Sequence, residues 1–127
     1  MSYDNPIAIS FAFPTHDFGA GAGAVSFKGP PGKTGRLIDI AVHVTETFNQ
    51  VTTPGYVRVG TGANPDAYAE LNMGAAANTD TWNTQDDPDA IIDSGLPADT
   101  QIEVAFVAPT GGTPAGIGNV TIATEWY

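Results

Sequence analysis

The sequence predicts an all-β fold, a single-domain β sandwich or barrel of about eight strands, with a jelly roll favoured. Three observations predict it. Along RLIDIAVHVTET, Arg36 to Thr47, Ile38, Ile40, Val42 and Val44 alternate with Asp39, Ala41, His43 and Thr45, the period of a strand with one face on a core. Gly and Pro, 15 and 10 of 127 residues, cut the remainder into short segments. No segment carries a sustained helical pattern, and neither a repeat nor a linker divides the chain. Residues 1–127 therefore read as one domain, with a short N-terminal arm at 1–6 and enough length to bury a core.

Ile7 to Phe13 is the first strand, with Ile7, Ile9, Phe11 and Phe13 on one face and Pro6 and Pro14 bracketing it. The GAGAGA run at Gly19 to Ala24 is no dinucleotide fingerprint, since no helical pattern with a suitably spaced acid follows. Nor does a Gly-Lys-Ser/Thr close it as a P-loop would; it reads as a flexible or closely packed loop. Val25 to Lys28 is a short second strand. KGPPGKTGR then holds Lys28, Lys33 and Arg36, three of the four basic residues. This loop is either plain polar surface or the one basic patch of an acidic protein, suited to acidic groups on a partner.

The long third strand ends near Phe48, and Asn49 to Gly55 turns into Tyr56 to Gly60, where Val57 and Val59 face inward. Asn64-Pro65-Asp66 is a turn, and Ala67 to Met73 a weakly marked strand with Tyr68 and Leu71 partly buried. Gly74 to Ala90, rich in Asn, Asp and Thr, reads as a long loop carrying Trp82. Ala90 to Asp93 is a short strand and Ser94 to Pro97 a turn. Thr100 to Ala108 is a strong strand with Ile102, Val104 and Phe106 inward. Pro109 to Asn119 is a loop, and Val120 to Tyr127 the last strand.

Net charge is −10, from 14 acidic residues against four basic ones, which disfavours nucleic-acid binding. With no cysteine, disulfides, thiolate metal sites and a Cys nucleophile are excluded. No stretch approaches the roughly 18 apolar residues of a membrane span. MSYDNPIAIS lacks the basic flank and apolar run of a signal peptide, so a soluble chain made in the cytosol is expected.

The residues do not point to an enzyme. His16 and His43 are the only imidazoles, and no serine lies in a nucleophile motif. A cupin-type metal site needs two His one residue apart before a Glu; His43 precedes Glu46, but position 45 is Thr. Asp86, Asp87 and Asp89 are weak calcium candidates that do not match an EF-hand loop, and no cofactor is expected. Among the aromatics, Trp126 continues the inward face of Val120, Ile122 and Thr124. Trp82, in the long loop, is the better exposed contact, for a protein partner or a sugar.

Three stretches carry a family resemblance: DNPIAISFAFPTHDFGAGAG, then GRLIDIAVHVTETF with TTPGYVRVG, then APTGGTPAGIGNVTIATEWY. Together they resemble small capsid decoration (cement) proteins of tailed bacteriophages. The resemblance implies a virion protein on the outer capsid surface, bridging major capsid protein subunits and stabilising the expanded icosahedral head. It also implies a homo-oligomer, a trimer before a dimer. On this reading Tyr3, Asn5 and Pro6 of the arm, Lys28, Lys33 and Arg36 of the basic loop, and Trp82 make the capsid or inter-subunit contacts. The alternative is a carbohydrate- or receptor-binding β module, assisted by calcium if the Asp cluster holds it.

Overall fold

A computed structural model describes residues 6–127 and folds them into ten strands, with no helix among the described residues. In chain order these are β1 (Ile7–Ala12), β2 (His16–Asp17), β3 (Gly23–Phe27), β4 (Gly35–Asn49), β5 (Tyr56–Gly60), β6 (Ala69–Asn72), β7 (Thr81–Trp82), β8 (Gly95–Leu96), β9 (Ile102–Val107) and β10 (Ala115–Trp126). They form two antiparallel sheets. One runs β1-β10-β4-β7, with β2 also on β10 and β8 also on β4; the other runs β3-β9-β5-β6. Leaving aside the two-residue β2 and β8, the remaining eight strands lie first-eighth-third-sixth in one sheet and second-seventh-fourth-fifth in the other.

The inner faces make a β sandwich because each long strand buries alternate residues. Ile40, Val42 and Val44 of β4 and Val120, Ile122 and Trp126 of β10 are buried on one side. Val57 and Val59 of β5 and Ile102, Val104 and Phe106 of β9 are buried on the other. Full burial of one such side chain contributes about 1.5–3 kcal/mol before entropic costs. Phe18 joins the layers, with its ring centroid 5.0 Å from Phe48 and 5.5 Å from Phe106. Phe11 of β1 stacks on Phe27 of β3 at 4.5 Å, tying the sheets at their other side.

Four expectations change. Ile38 does not share the inner face of β4. The β10–β4 register shifts so that Ala123 opposes Asp39 while Thr124 opposes Leu37, leaving Ile38 extra. That bulge reverses the alternation, burying Leu37 and leaving Ile38 37% exposed. The segment from Gly74 to Ala90 is not an open loop: Thr81 and Trp82 pair with His43 and Val42. Its turns are held by Asp80 accepting from the Ala77 amide and Asp86 from the Asn83 amide. Ala90 to Asp93 is not a strand; only Ile91 bridges, to Ala69, and pairing resumes at β8, where a turn was expected. Finally, β10 begins at Ala115, inside the expected loop. Gly116 and Gly118 are needed there, because a Cβ would lie 2.5 Å from Phe48 and 2.6 Å from Val42 respectively.

Candidate functional site

One end of the sandwich gathers Pro6 and the three basic residues singled out by sequence. Across the first sheet, Ile7, Trp126, Gly35 and Leu96 are successive register partners on β1, β10, β4 and β8. Pro6, exposed, enters the fold beside this row. The basic segment ends in it, since Arg36 directly follows Gly35 and is itself exposed. Lys28 is exposed and Lys33 half-buried within the same β3–β4 connection. Tyr3 and Asn5 lie outside the described residues.

This connection is fastened rather than loose. Thr34 and Tyr127 exchange backbone hydrogen bonds, Thr34 N to Tyr127 O at 3.1 Å and Tyr127 N to Thr34 O at 3.0 Å. The Gly32 amide donates to Asp99 Oδ1 at 2.8 Å, and the Leu37 amide to Ser94 O at 2.7 Å. Gly29 and Gly35 both lie against the Trp126 ring, which fills the space a side chain would need. Trp126 is therefore core, as its place in the inward face predicts.

Beside that row opens a shallow cleft of about 530 Å³. Tyr68 and Tyr127 stand on it, Leu96 and Pro97 form its apolar wall, and Thr34 brings a hydroxyl. Tyr127 is 51% exposed. Tyr68 is held through its backbone: its amide donates to Val59 O, and its carbonyl accepts from the amides of Ile92 and Asp93. Among the described residues that line it, no side chain is a carboxylate, imidazole or amine. Chemically the cleft offers ring faces, phenolic and aliphatic hydroxyls and apolar surface, which suits a neutral ligand or the apolar edge of a partner. Sequence reasoning noted both tyrosines but had no signal that would pair them, because their meeting depends on strand order.

Trp82 does not belong to this site. It pairs with Val42, seven positions along β4 from Gly35, or about 23 Å at the rise of a strand. It is half-buried against the core rather than freely exposed, and its indole N–H donates to Asn72 O at 2.9 Å. The proposed calcium set is also dispersed. Asp87 Oδ2 accepts from the Asn72 amide, Asp86 Oδ2 from the Asn83 amide, and Asp89 is exposed. Among the described residues, no three His, Cys, Asp or Glu side chains group as a metal site.

The two imidazoles are far from acting as a pair. His16 Nε2 lies 2.9 Å from the Gly21 carbonyl, and its ring packs on Phe18 and Phe106, each at 4.8 Å. His43 is exposed on β4. The glycine-rich stretch is tight at its two ends, where a Cβ on Gly19 would meet Pro114 O at 2.9 Å and one on Gly23 the His16 ring at 2.7 Å, and open around Gly21 between them.

No family model matches the chain, and no curated protein matches it. Among solved structures the chain is similar to one in the cyanophage Pam1 capsid asymmetric unit, at a TM-score of 0.43 and 12% identity. The likeness covers 88% of this chain and 84% of that one, and at this level it carries no functional weight by itself.

Proposed function

We propose that this protein is a non-enzymatic structural component of a tailed-phage virion. In this reading it decorates the outer surface of the expanded head, bridges major capsid protein subunits and acts as a homo-oligomer. The observation that carries the reading is the convergence of Pro6, the segment with Lys28, Lys33 and Arg36, and the Tyr68–Tyr127 cleft on one end of the sandwich. On a chain of net charge −10, that end concentrates the basic residues, and it is where a contact with an acidic partner surface would form. A second support is that the stretches resembling decoration proteins include β1, β10 and β4, three neighbours in one sheet. The strand order described above supports the jelly roll favoured from the sequence, an arrangement found in both viral capsid and lectin domains, so architecture alone does not choose between them.

The test is co-sedimentation of the purified protein with expanded, undecorated phage heads, quantified per capsid subunit. Saturation at a fixed lattice ratio is expected, and Arg36→Glu together with Lys28→Glu is expected to lower occupancy. Absence of binding by the folded protein overturns the reading. Unchanged occupancy after deleting residues 2–5 removes the arm from the contact.

The cleft favours a second reading, a carbohydrate- or receptor-binding module in which Tyr68 and Tyr127 stack on a neutral saccharide. Saturable binding on a glycan array, lost in Tyr127→Ala, would select it.

A further inference from the structure

The sandwich is capped on one side and open on the other. On the capped side, β6 is covered by the segment after it: the Glu70 amide donates to Ala90 O, the Asn72 amide to Asp87 Oδ2, and the Ile92 amide to Tyr68 O. The far edge of β4 is covered likewise, by β7, by β8, and by hydrogen bonds from Val44 to Asp80 and from Phe48 to Ala76. On the open side lies β1, whose partner among the described strands is β10 alone.

The geometry fixes which of its backbone groups are unused. Phe13 N donates to Val120 O, and Ile9 O accepts from Thr124 Oγ1, so the odd-numbered residues direct their backbone towards β10. Antiparallel alternation then points the N–H and C=O of Ala8, Ser10 and Ala12 outward, and all three residues are exposed. Protected edges carry a lysine, an internal proline or a bulge. This one has none: its register with β10 is unbroken, and no residue from Pro6 to Thr15 is charged.

We infer that β1 pairs antiparallel with β1 of a second copy of this chain, about a two-fold axis through Ser10, joining the two larger sheets into one. Charge permits a second copy at this edge. Two copies of a −10 chain repel over most of their surface, and β1 is a six-residue edge on which they meet without opposing acids. The strand is also self-complementary, as an isologous contact requires. Around Ser10, Ala8 faces Ala12 of the second copy, so every outward N–H and C=O finds a partner. On the inner face Ile9 meets Phe11 of the second copy and Ile7 meets Phe13, covering Ile7, which is 41% exposed in the single chain. This contact is two-fold, and it argues for a dimer in place of the trimer that the family resemblance implies. It does not rest on the capsid reading.

The test is sedimentation equilibrium of the full chain over a range of concentrations, with two variants. Ser10→Pro removes an outward amide and leaves the bonds to β10 intact; Ser10→Asp puts like charges at the axis. A wild-type dimer is expected, with the dissociation constant raised about tenfold or more in each variant and far-UV circular dichroism unchanged. In the dimer the amides of Ala8, Ser10 and Ala12 exchange slowly, and dilution releases them. A monomeric wild type, or a dimer that both variants leave intact, overturns the inference. A monomer that still decorates heads would overturn the pairing and the homo-oligomer but leave head decoration standing.

Discussion

The six-membered ring of Trp126 occupies the space where a side chain on Gly35 would stand: a Cβ there would lie 2.5 Å from ring atom Cζ3. The two residues are register partners on β10 and β4, and Trp126 is fully buried. Gly35→Ala must therefore displace the ring or the strand. Overpacking of this kind costs about 1–3 kcal/mol. Urea unfolding should show a lower midpoint at unchanged m, and a variant as stable as wild type would mean the ring has room to move.

Thr124 anchors the same ring. Trp126 Nε1 donates to Thr124 Oγ1 at 2.7 Å, and that hydroxyl donates onward to Ile9 O at 2.8 Å. Thr124→Val keeps the shape but strands a buried indole N–H, at a cost of about 1–3 kcal/mol. Trp126→Phe removes the donor as well as ring volume. In a double-mutant cycle, Trp126→Phe should therefore cost less in the Thr124→Val background than in wild type. Additive costs would mean the bond contributes nothing net.

Much of this architecture was legible in the chain where burial alone sets the pattern. β5, β9 and the later half of β10 alternate strictly because each presses one face on the opposite sheet. A two-residue strand is too short to show alternation, so β7 and β8 read as loop and turn even though Leu96 is buried and Trp82 packs against the core. The start of β10 was hidden for the opposite reason: Gly116 and Gly118 look like loop glycines, yet they are there because Phe48 and Val42 fill the space. A bulge has no compositional signature, so Ile38 was assigned to the wrong face. At the candidate site the clustering of Lys28, Lys33 and Arg36 was visible directly. Their proximity to Pro6 and to the Tyr68–Tyr127 cleft needed the cross-strand register that only the folded chain supplies.

Arg58 and Glu70 face each other across β5 and β6, with Nε 2.6 Å from Oε2, and the guanidinium lies 5.2 Å from the Tyr56 ring centroid. Both side chains keep about a third of their surface in water, at 33% and 29%. Solvent screening limits such a pair to less than about 1 kcal/mol. Glu70→Gln should thus lower stability only slightly, and the difference should shrink further in molar salt. A larger loss that salt does not reduce would identify a packing role for Glu70.

Asp87 is committed to the fold through the Asn72 amide, which its Oδ2 accepts at 2.9 Å, where the following segment covers the edge of β6. Asp86 is committed in the same way to the Asn83 amide. Among the described residues no three carboxylates group around one point, whereas calcium takes six to eight oxygen ligands. Millimolar calcium should consequently leave the thermal midpoint unchanged against a chelator control. Asp87→Ala, by contrast, should cost about 1–3 kcal/mol by leaving the Asn72 amide without its acceptor. Asp87→Asn retains a carbonyl oxygen and should recover part of that loss. A calcium-dependent rise in midpoint that Asp87→Asn abolishes would reverse this assignment and make the acidic segment a cation site.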